Sequence, residues 1–359
     1  MGLHSLSVIV QEPELGMISI YDQTGLEALR KRTAIQPHRL KTFRNAFYKK
    51  ARGKDAALGT LPEEARDIFR DNVRFTSLEL TEQHESDVDG ATKLGFRTSD
   101  GHMVESVILR VKSGRIALCI SSQIGCACNC TFCATGQLGF LRDLTYAEIL
   151  DQVAQANRLL RKENGKVRNV VFMGMGEPFL NLENLFQALE LLTSPAGFAF
   201  TPTRVMVSTV GIPDGMSRCA ERFPDVRQAL SLHSARQRVR ETLIPLAKRY
   251  DLDMLRDAIV TAGANGKVMI EYLMLEGIND QAADLEALVR YLQDAPVHIN
   301  IIPYNTFEGC AWRGTPQPLR EAFAEQLKRA GFQVTQRYSL GLDITAACGQ
   351  LARTRQGRA

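Results

Sequence analysis

Five of the chain's eight cysteines fall between Cys119 and Cys133. Three of them, Cys126, Cys130 and Cys133, stand in C-x3-C-x2-C spacing, close enough on one short loop for their thiolates to hold three corners of an iron–sulfur cube. Ferredoxin-type clusters use four thiolates, so a set of three leaves one iron open to a small molecule. A zinc knuckle is the competing reading, and it would want a fourth Cys or His. Cys128 lies midway between Cys126 and Cys130, an awkward place for a fourth ligand to the same ion, and is expected to pack or face outward. Cys219 in a helical stretch and Cys310 in a glycine-bearing loop read as ordinary thiols.

The chain that must hold these cysteines has 359 residues and is 45% hydrophobic, enough for one large domain and a smaller one. No run of about 18 apolar residues occurs and the N-terminus lacks a signal pattern, so a cytoplasmic protein with no membrane partner is expected. Crowded cysteines then indicate metal or redox chemistry in a reducing compartment, not a secreted disulfide framework. The net charge of +4 gives weak support for a polyanionic partner. Its distribution says more. Arg39, Lys41, Arg44, Lys49, Lys50, Arg52 and Lys54 interleave with Phe43, Phe47 and Tyr48, and Arg353, Arg355 and Arg358 form a basic tail. The run reads equally as a solvated helix face or as a nucleic-acid footprint.

Apolar spacing predicts helices over 23–33, 37–52 and 61–70, then short strands over 75–80, 91–97, 103–111 and 115–120. Beyond the cysteine loop, strands over 169–173, 204–209, 226–232, 268–275 and 298–302 alternate with helices, and 333–338 is a candidate extension of the sheet. The expected fold class is α/β: a partial (β/α)6 barrel over 99–351, a small N-terminal helical plus β accessory domain over 1–98, and a basic tail over 352–359.

Barrels of this kind gather ligand-binding groups at the C-terminal ends of their strands. The cysteine loop follows the first strand, Gly174-Met-Gly-Glu-Pro178 the second and Pro303-Tyr-Asn305 the sixth. Ser208-Thr209 ends the third and Ser231-Leu232-His233 the fourth. Five such clusters on one rim point to a shared ligand. Read singly, Cys348 would be a small buried residue, His233 a satisfied core histidine and Glu105 a solvent-facing carboxylate; Met173 and Met175 are expected to pack.

These blocks, with Cys119-Ile-Ser-Ser-Gln123 and Asp343-Ile-Thr-Ala-Ala-Cys-Gly-Gln350, resemble the radical S-adenosylmethionine (SAM) enzymes, and within them the RNA methyltransferases of the RlmN/Cfr family. The resemblance runs from about residue 90 to 351, and its Ala-Ala-Cys-Gly-Gln block is the most specific part. It implies methylation of an aromatic carbon of adenosine, a position too poor a nucleophile to attack the SAM sulfonium. One 4Fe–4S cluster on Cys126, Cys130 and Cys133 would bind SAM at its open iron and generate a 5′-deoxyadenosyl radical. Cys348 would take a methyl group from one SAM, and the radical from a second would abstract hydrogen from it, so two SAM are consumed per turnover. The resulting carbon radical would add to adenine, and Cys119 would close a disulfide with Cys348 to release the product. Glu105 matches the family's proton acceptor, at a spacing to Cys119 one residue longer. Gly176, Glu177, Ser208, Ser231, Leu232, His233 and Asn305 would hold SAM.

Within the family, Glu177-Pro178 and Ile302-Pro303 resemble RlmN, which methylates carbon 2 of adenosine in 23S rRNA and tRNA. Tyr304 is more like Cfr, which methylates carbon 8 of the ribosomal adenosine, and Thr306 stands where both usually have proline. Carbon 2 is the first choice and carbon 8 the alternative. The implied partners are 23S rRNA, tRNA and an electron donor such as flavodoxin, acting on a monomer. An RNA-binding iron–sulfur redox module without methyl transfer is a third reading. It leaves the strand-end clusters and the distant Cys119 and Cys348 pair unexplained.

Overall fold

The structure, a computed structural model, describes residues 17–111 and 113–351. The tail over 352–359, with Arg353, Arg355 and Arg358, lies outside the described residues.

The first described segment is helical. Strand β1 (Ile18–Ser19) leads into α1 (Gln23–Arg32), α2 (Pro37–Tyr48), α3 (Lys54–Leu58) and α4 (Glu63–Asn72), and β2 (Val73–Arg74) returns to pair with β1 in parallel. Asp22 caps α1 by accepting from the Gly25 amide at 2.9 Å, and Pro37 opens α2, where its missing N–H costs nothing. Helix α2 stops at Tyr48, four residues short of the predicted end, and Ala51 takes a left-handed φ of 47°. Its Phe43, Phe47 and Tyr48 are buried, and the rings of Phe43 and Phe47 pack edge-on to Phe75 at 6.0 and 5.9 Å. The aromatic part of the basic run is therefore core. Only its cations reach water, with Arg39, Lys41, Lys50 and Lys54 exposed and Arg44, Lys49 and Arg52 half-buried.

A meander follows, made of β3 (Glu79–Glu85), β4 (Thr92–Arg97), β5 (Met103–Arg110) and β6 (Ile116–Cys119), each antiparallel to the next. The strand predicted over 75–80 forms only from Glu79. The Ser77 and Leu78 amides donate instead to the carboxylate of Asp151 at 2.8 and 2.9 Å, and the Tyr21 hydroxyl donates to the same group at 2.8 Å. This buried carboxylate ties the helical segment to the barrel.

The cysteine loop carries β7 (Gln123–Gly125), α5 (Ala134–Gln137) and β8 (Phe140–Asp143). Then come α6 (Tyr146–Lys162), β9 (Asn169–Phe172), α7 (Leu182–Thr193), β10 (Val205–Thr209), α8 (Pro213–Arg222) and β11 (Arg227–Ser231). The chain continues through α9 (Gln237–Leu243), α10 (Leu252–Ala262), β12 (Val268–Met274), α11 (Ala282–Leu292), β13 (Val297–Pro303), α12 (Gln317–Arg329) and β14 (Val334–Gln336). Thr145 and Glu148 form a reciprocal capping box that fixes the start of α6 directly after the loop.

One ten-stranded sheet results, in the order β14-β13-β12-β11-β10-β9-β6-β5-β4-β3. Neighbours from β6 to β14 are parallel, so six barrel strands are present and β14 extends them, leaving β14 and β3 as open edges. Parallel strands covered on both faces need continuous apolar runs. Val170, Val205, Val207, Leu230, Ile270 and Ile299 supply them, fully buried. The sheet runs unbroken across residue 98, because β4 pairs with β5 from Thr92↔Ile108 to Arg97↔Met103. Among the described residues no helix is long and apolar enough to cross a membrane.

Candidate active site

A cavity opens at the C-terminal ends of the parallel strands. Nine predicted site residues line it: Cys126, Cys130, Cys133, Gly176, Glu177, Ser208, Ser231, His233 and Cys348. Cys119, Glu105, Leu232 and Asn305 do not, and all four are buried.

The cysteine loop is held as a ribbon that the sequence did not reveal. Strands β7 and β8 pair antiparallel, and the loop folds back so closely at Gly125 that a Cβ there would lie 1.9 Å from the Gly139 carbonyl oxygen. Gly125 also takes a φ of 74°, open to glycine. Cys126, Cys130 and Cys133 all open on the cavity. Cys128 turns away from it, buried at 1% exposure with its thiol hydrogen-bonded to Cys126. Among the described residues no three His, Cys, Asp or Glu side chains converge tightly enough to hold a single metal ion. Burial pushes the Cys130 and Cys133 thiols up.

The turn after β9 is pinned to the first strand's extension. The Met175 amide donates to the Ser121 hydroxyl at 2.8 Å and the Glu177 amide to the Gln123 side-chain oxygen at 2.8 Å. Gly176, at φ 100°, sits where a Cβ would meet the Gln123 Cβ at 2.5 Å. The Glu177 carboxylate accepts from the Val210 amide at 2.8 Å and the Phe179 amide at 3.1 Å. Burial outweighs those bonds and raises its pKa to about 7. This buried carboxyl beside the cysteine loop suits an amino group.

Ser208 and Ser231 converge on one carboxylate that sequence reasoning missed. Glu271 of β12 accepts from their hydroxyls at 3.0 and 3.4 Å and itself lines the cavity. His233 holds a left-handed φ of 56°, and its Nδ1 accepts from the Leu273 amide at 3.0 Å, which puts the ring proton on Nε2. Burial first, then the Arg240 charge, lowers its pKa to about 3, so the ring is neutral. Its edge meets Phe132 of the cysteine loop, centroids 4.7 Å apart. Leu232 contributes backbone: its amide donates to the Glu271 carbonyl at 3.1 Å.

Arg240 of α9, 1% exposed, ties these strand ends together. Its guanidinium donates to the carbonyls of Ser231, at 2.9 Å, Leu232 and Val210. Burial lowers its pKa to about 10, so the group stays charged at neutral pH. Replacing Arg240 by leucine would remove a buried donor from three carbonyls, of which Leu232 keeps the Ser234 amide at 2.7 Å, and a loss of about 3 kcal/mol in urea unfolding is expected. Arg240→Lys keeps the charge but not the fork, and should recover less than half of the loss.

The segment bearing Cys348 is clamped between the cysteine loop and the end of β13. The Ala134 amide donates to the Gly349 carbonyl at 2.7 Å and the Thr135 hydroxyl to the Leu351 carbonyl at 2.5 Å. Asn305 donates to the Cys348 carbonyl at 3.1 Å and accepts from the Ser339 hydroxyl at 2.5 Å, so its amide positions this segment. From the meander, the Ser86 hydroxyl donates to Asp343 at 2.8 Å, and Lys93 donates to the Thr345 hydroxyl at 2.9 Å. Lys93 also pairs with Glu105 at 3.6 Å. Glu105 is buried on β5, not solvent-facing, and is linked through Lys93 to the Cys348 segment.

Cys348 is exposed, but exposed into a walled depression, so its surroundings still push the thiol up. Cys119 is buried at the end of β6, and its thiol is raised by burial and then by the nearby Cys348. Met173 packs against the core as expected, and it also lines the cavity and accepts from Arg337 Nη1 at 3.7 Å. A cavity lined by three clustered thiols, a buried carboxyl and an exposed thiol has room and polarity for a charged organic ligand.

Known proteins resemble this chain in sequence and in fold. Residues 120–292 match the family model of the Radical SAM superfamily. A protein of Rhodopirellula baltica named "Probable RNA methyltransferase" is 47% identical over 94% of this chain and 88% of its own length. The "Dual-specificity RNA methyltransferase RlmN" of Desulfotalea psychrophila is 44% identical over 74% of this chain and 75% of its own. The crystal structure of a radical SAM methyltransferase from Sphaerobacter thermophilus superposes with a TM-score of 0.87 at 34% identity, covering 93% of this chain and 98% of that one. Likeness of sequence and of fold over nearly the whole length makes this chain a radical SAM RNA methyltransferase of the RlmN/Cfr family.

Proposed function

We propose that the chain methylates carbon 2 of adenosine in 23S rRNA and in tRNA, with Cys348 as the methyl carrier and two SAM consumed per turnover. The observation that supports this reading is the clamp that fixes the Cys348 segment to the cysteine loop, so that the exposed Cys348 lines the same cavity as Cys126, Cys130 and Cys133. The dual specificity in the Desulfotalea protein's name supports more than one RNA substrate.

Radical SAM membership implies a 4Fe–4S cluster and SAM, which together supply one electron and a radical able to take hydrogen from carbon. Cys126, Cys130 and Cys133 would hold the cluster, leaving its fourth iron open. Glu177 and the backbone at Gly176 would receive the amino end of SAM, and Ser208, Ser231 and His233 would contact the remainder from the strand ends. Leu232 and Asn305 shape that wall from behind.

The chain's own work is in sulfur and proton handling. Cys348 accepts the methyl group as a thiolate. The Cys119 thiolate attacks the Cys348 sulfur, and as the disulfide forms the sulfur–carbon bond to the RNA breaks, its electron pair passing to the methylene carbon, which takes a proton to become the methyl group. Glu105, held by Lys93, takes the proton released as the adenine ring regains aromaticity. The cations of the segment over 37–54 bind RNA phosphate as part of an accessory domain over 1–98, and affinity falls with salt. The electron donor is of the flavodoxin class, and the working unit is a monomer.

Nucleosides from RNA treated with the enzyme, compared by mass spectrometry with 2-methyladenosine and 8-methyladenosine standards, test this reading. The 2-methyl form is expected. The 8-methyl form would assign the Cfr-type reaction instead.

A further inference from the structure

The chain reaches Cys348 through a turn that takes threonine where glycine is usual. We propose that Lys93 is a positioning residue for Cys348: it holds Thr345 in a left-handed conformation and so sets the direction in which Ala346, Ala347 and Cys348 leave the turn toward the cavity. The bearing on methyl transfer rests on the reading of Cys348 as methyl carrier; the hold on Thr345 does not.

The turn over 341–346 is closed by two nested backbone bonds, from the Thr345 amide to the Leu342 carbonyl at 3.2 Å and from the Ala346 amide to the Gly341 carbonyl at 2.8 Å. This is the bonding of a Schellman motif, whose closing residue is left-handed and usually glycine. Thr345 closes this one with φ 51°, a conformation that a β-branched side chain disfavours. The residue is exposed, so packing does not impose it. Lys93 supplies the hold. Its ammonium donates to the Thr345 hydroxyl at 2.9 Å and to the Thr345 carbonyl at 3.4 Å, gripping side chain and backbone together. The hydroxyl gives its own proton to the Ile344 carbonyl at 2.8 Å, which leaves its lone pairs for Lys93.

The meander anchors this turn at both ends. Lys93 of β4 pairs with Val107 of β5, which pairs with Cys119 of β6. Residues in one cross-strand row share a face, so the ammonium rises from the face that carries Cys119. The Lys93 side chain is 12% exposed and its nitrogen lies 3.6 Å from the Glu105 carboxylate. At the start of the turn the Gly341 amide donates to Asp89 at 2.8 Å, and the Ser86 hydroxyl donates to Asp343 at 2.8 Å. Past Cys348 the chain is fixed again, by the Ala134 amide on the Gly349 carbonyl. Cys348 therefore spans two anchors, and Thr345 is where a change in one backbone angle would redirect the span.

Hydrogen–deuterium exchange over 341–350, on cluster-loaded protein, reads the turn, and S-methylcysteine formed at Cys348 after addition of SAM without RNA reads the thiol. Lys93→Met should speed exchange of the turn amides about tenfold and slow Cys348 methylation about tenfold, the scale of one left-handed residue left unsupported. Thr345→Val loses the bonded hydroxyl and should do the same; because it leaves Lys93 beside Glu105, it reports even where Lys93→Met does not fold. Thr345→Gly loses the same hydroxyl but should stay within about threefold of wild type in both measurements, since glycine takes the conformation unaided. Lys93→Met combined with Thr345→Gly should recover likewise. Wild-type exchange in the valine variant, or a glycine variant that loosens as much as the valine one, overturns the hold. Faster exchange with undiminished methylation overturns the positioning role. A wild type that forms no S-methylcysteine while the exchange pattern appears as expected would defeat the carrier reading alone.

Discussion

Cys348→Ala yields no methylated RNA, a loss of at least about 10³-fold, the scale of removing a covalent nucleophile. S-methylcysteine disappears from digests of the same variant. The fold should be nearly untouched, because the bonds that clamp this segment use the Cys348 and Gly349 carbonyls and not the thiol. Thermal unfolding within about 0.5 kcal/mol of wild type is therefore expected, as for an exposed site. The combination matters: full loss of product with intact stability separates a chemical role from a packing one. Methylated RNA from this variant would refute the assignment.

Cys119→Ala stalls the reaction at a different point. With Cys348 free to take methyl and no thiol to resolve the adduct, protein covalently joined to RNA accumulates, and turnover stops after about one equivalent. A denaturing gel with labelled RNA shows the slow band, which nuclease collapses to the protein. Cys119 ends β6, pairs in register with Val107 and Val171, and is buried. Truncation to alanine removes one buried sulfur and costs about 1 kcal/mol, too little to account for a blocked cycle. Free protein with normal turnover would count against the resolving role.

Much of this site was legible in the chain because its parts are local. Parallel strands buried on both faces must be apolar runs, so their ends, and the polar residues placed there, can be found by reading along the sequence. Cys126, Cys130 and Cys133 are local for the same reason. Strands β7 and β8 were not, since three or four residues among glycine and cysteine carry no alternation to read. Glu271 left a signal that could have been used: a lone carboxylate inside Val268–Met274, an otherwise apolar strand. Arg240 and Arg337 left none. Arg240 looks like any helix cation, and Arg337 reaches Met173 from beyond β14, which lies beside β13. The aromatic residues of α2 misled in the opposite direction, because adjacency in a helix brings Phe43 and Phe47 beside Arg44 in sequence while burying them away from solvent. Asn305 shows a subtler limit: its strand-end position was readable, but its bonds to the Cys348 carbonyl and to Ser339 depend on a segment more than thirty residues downstream.

The central claim is that this cavity performs radical chemistry on a methyl group carried by the chain. Its most direct test is anaerobic reconstitution with iron and sulfide, followed by dithionite, SAM and RNA, with the small-molecule products separated by chromatography. The account predicts 5′-deoxyadenosine, formed by the wild type and absent when Cys130 is replaced by alanine. Methylated RNA formed without any 5′-deoxyadenosine would contradict it.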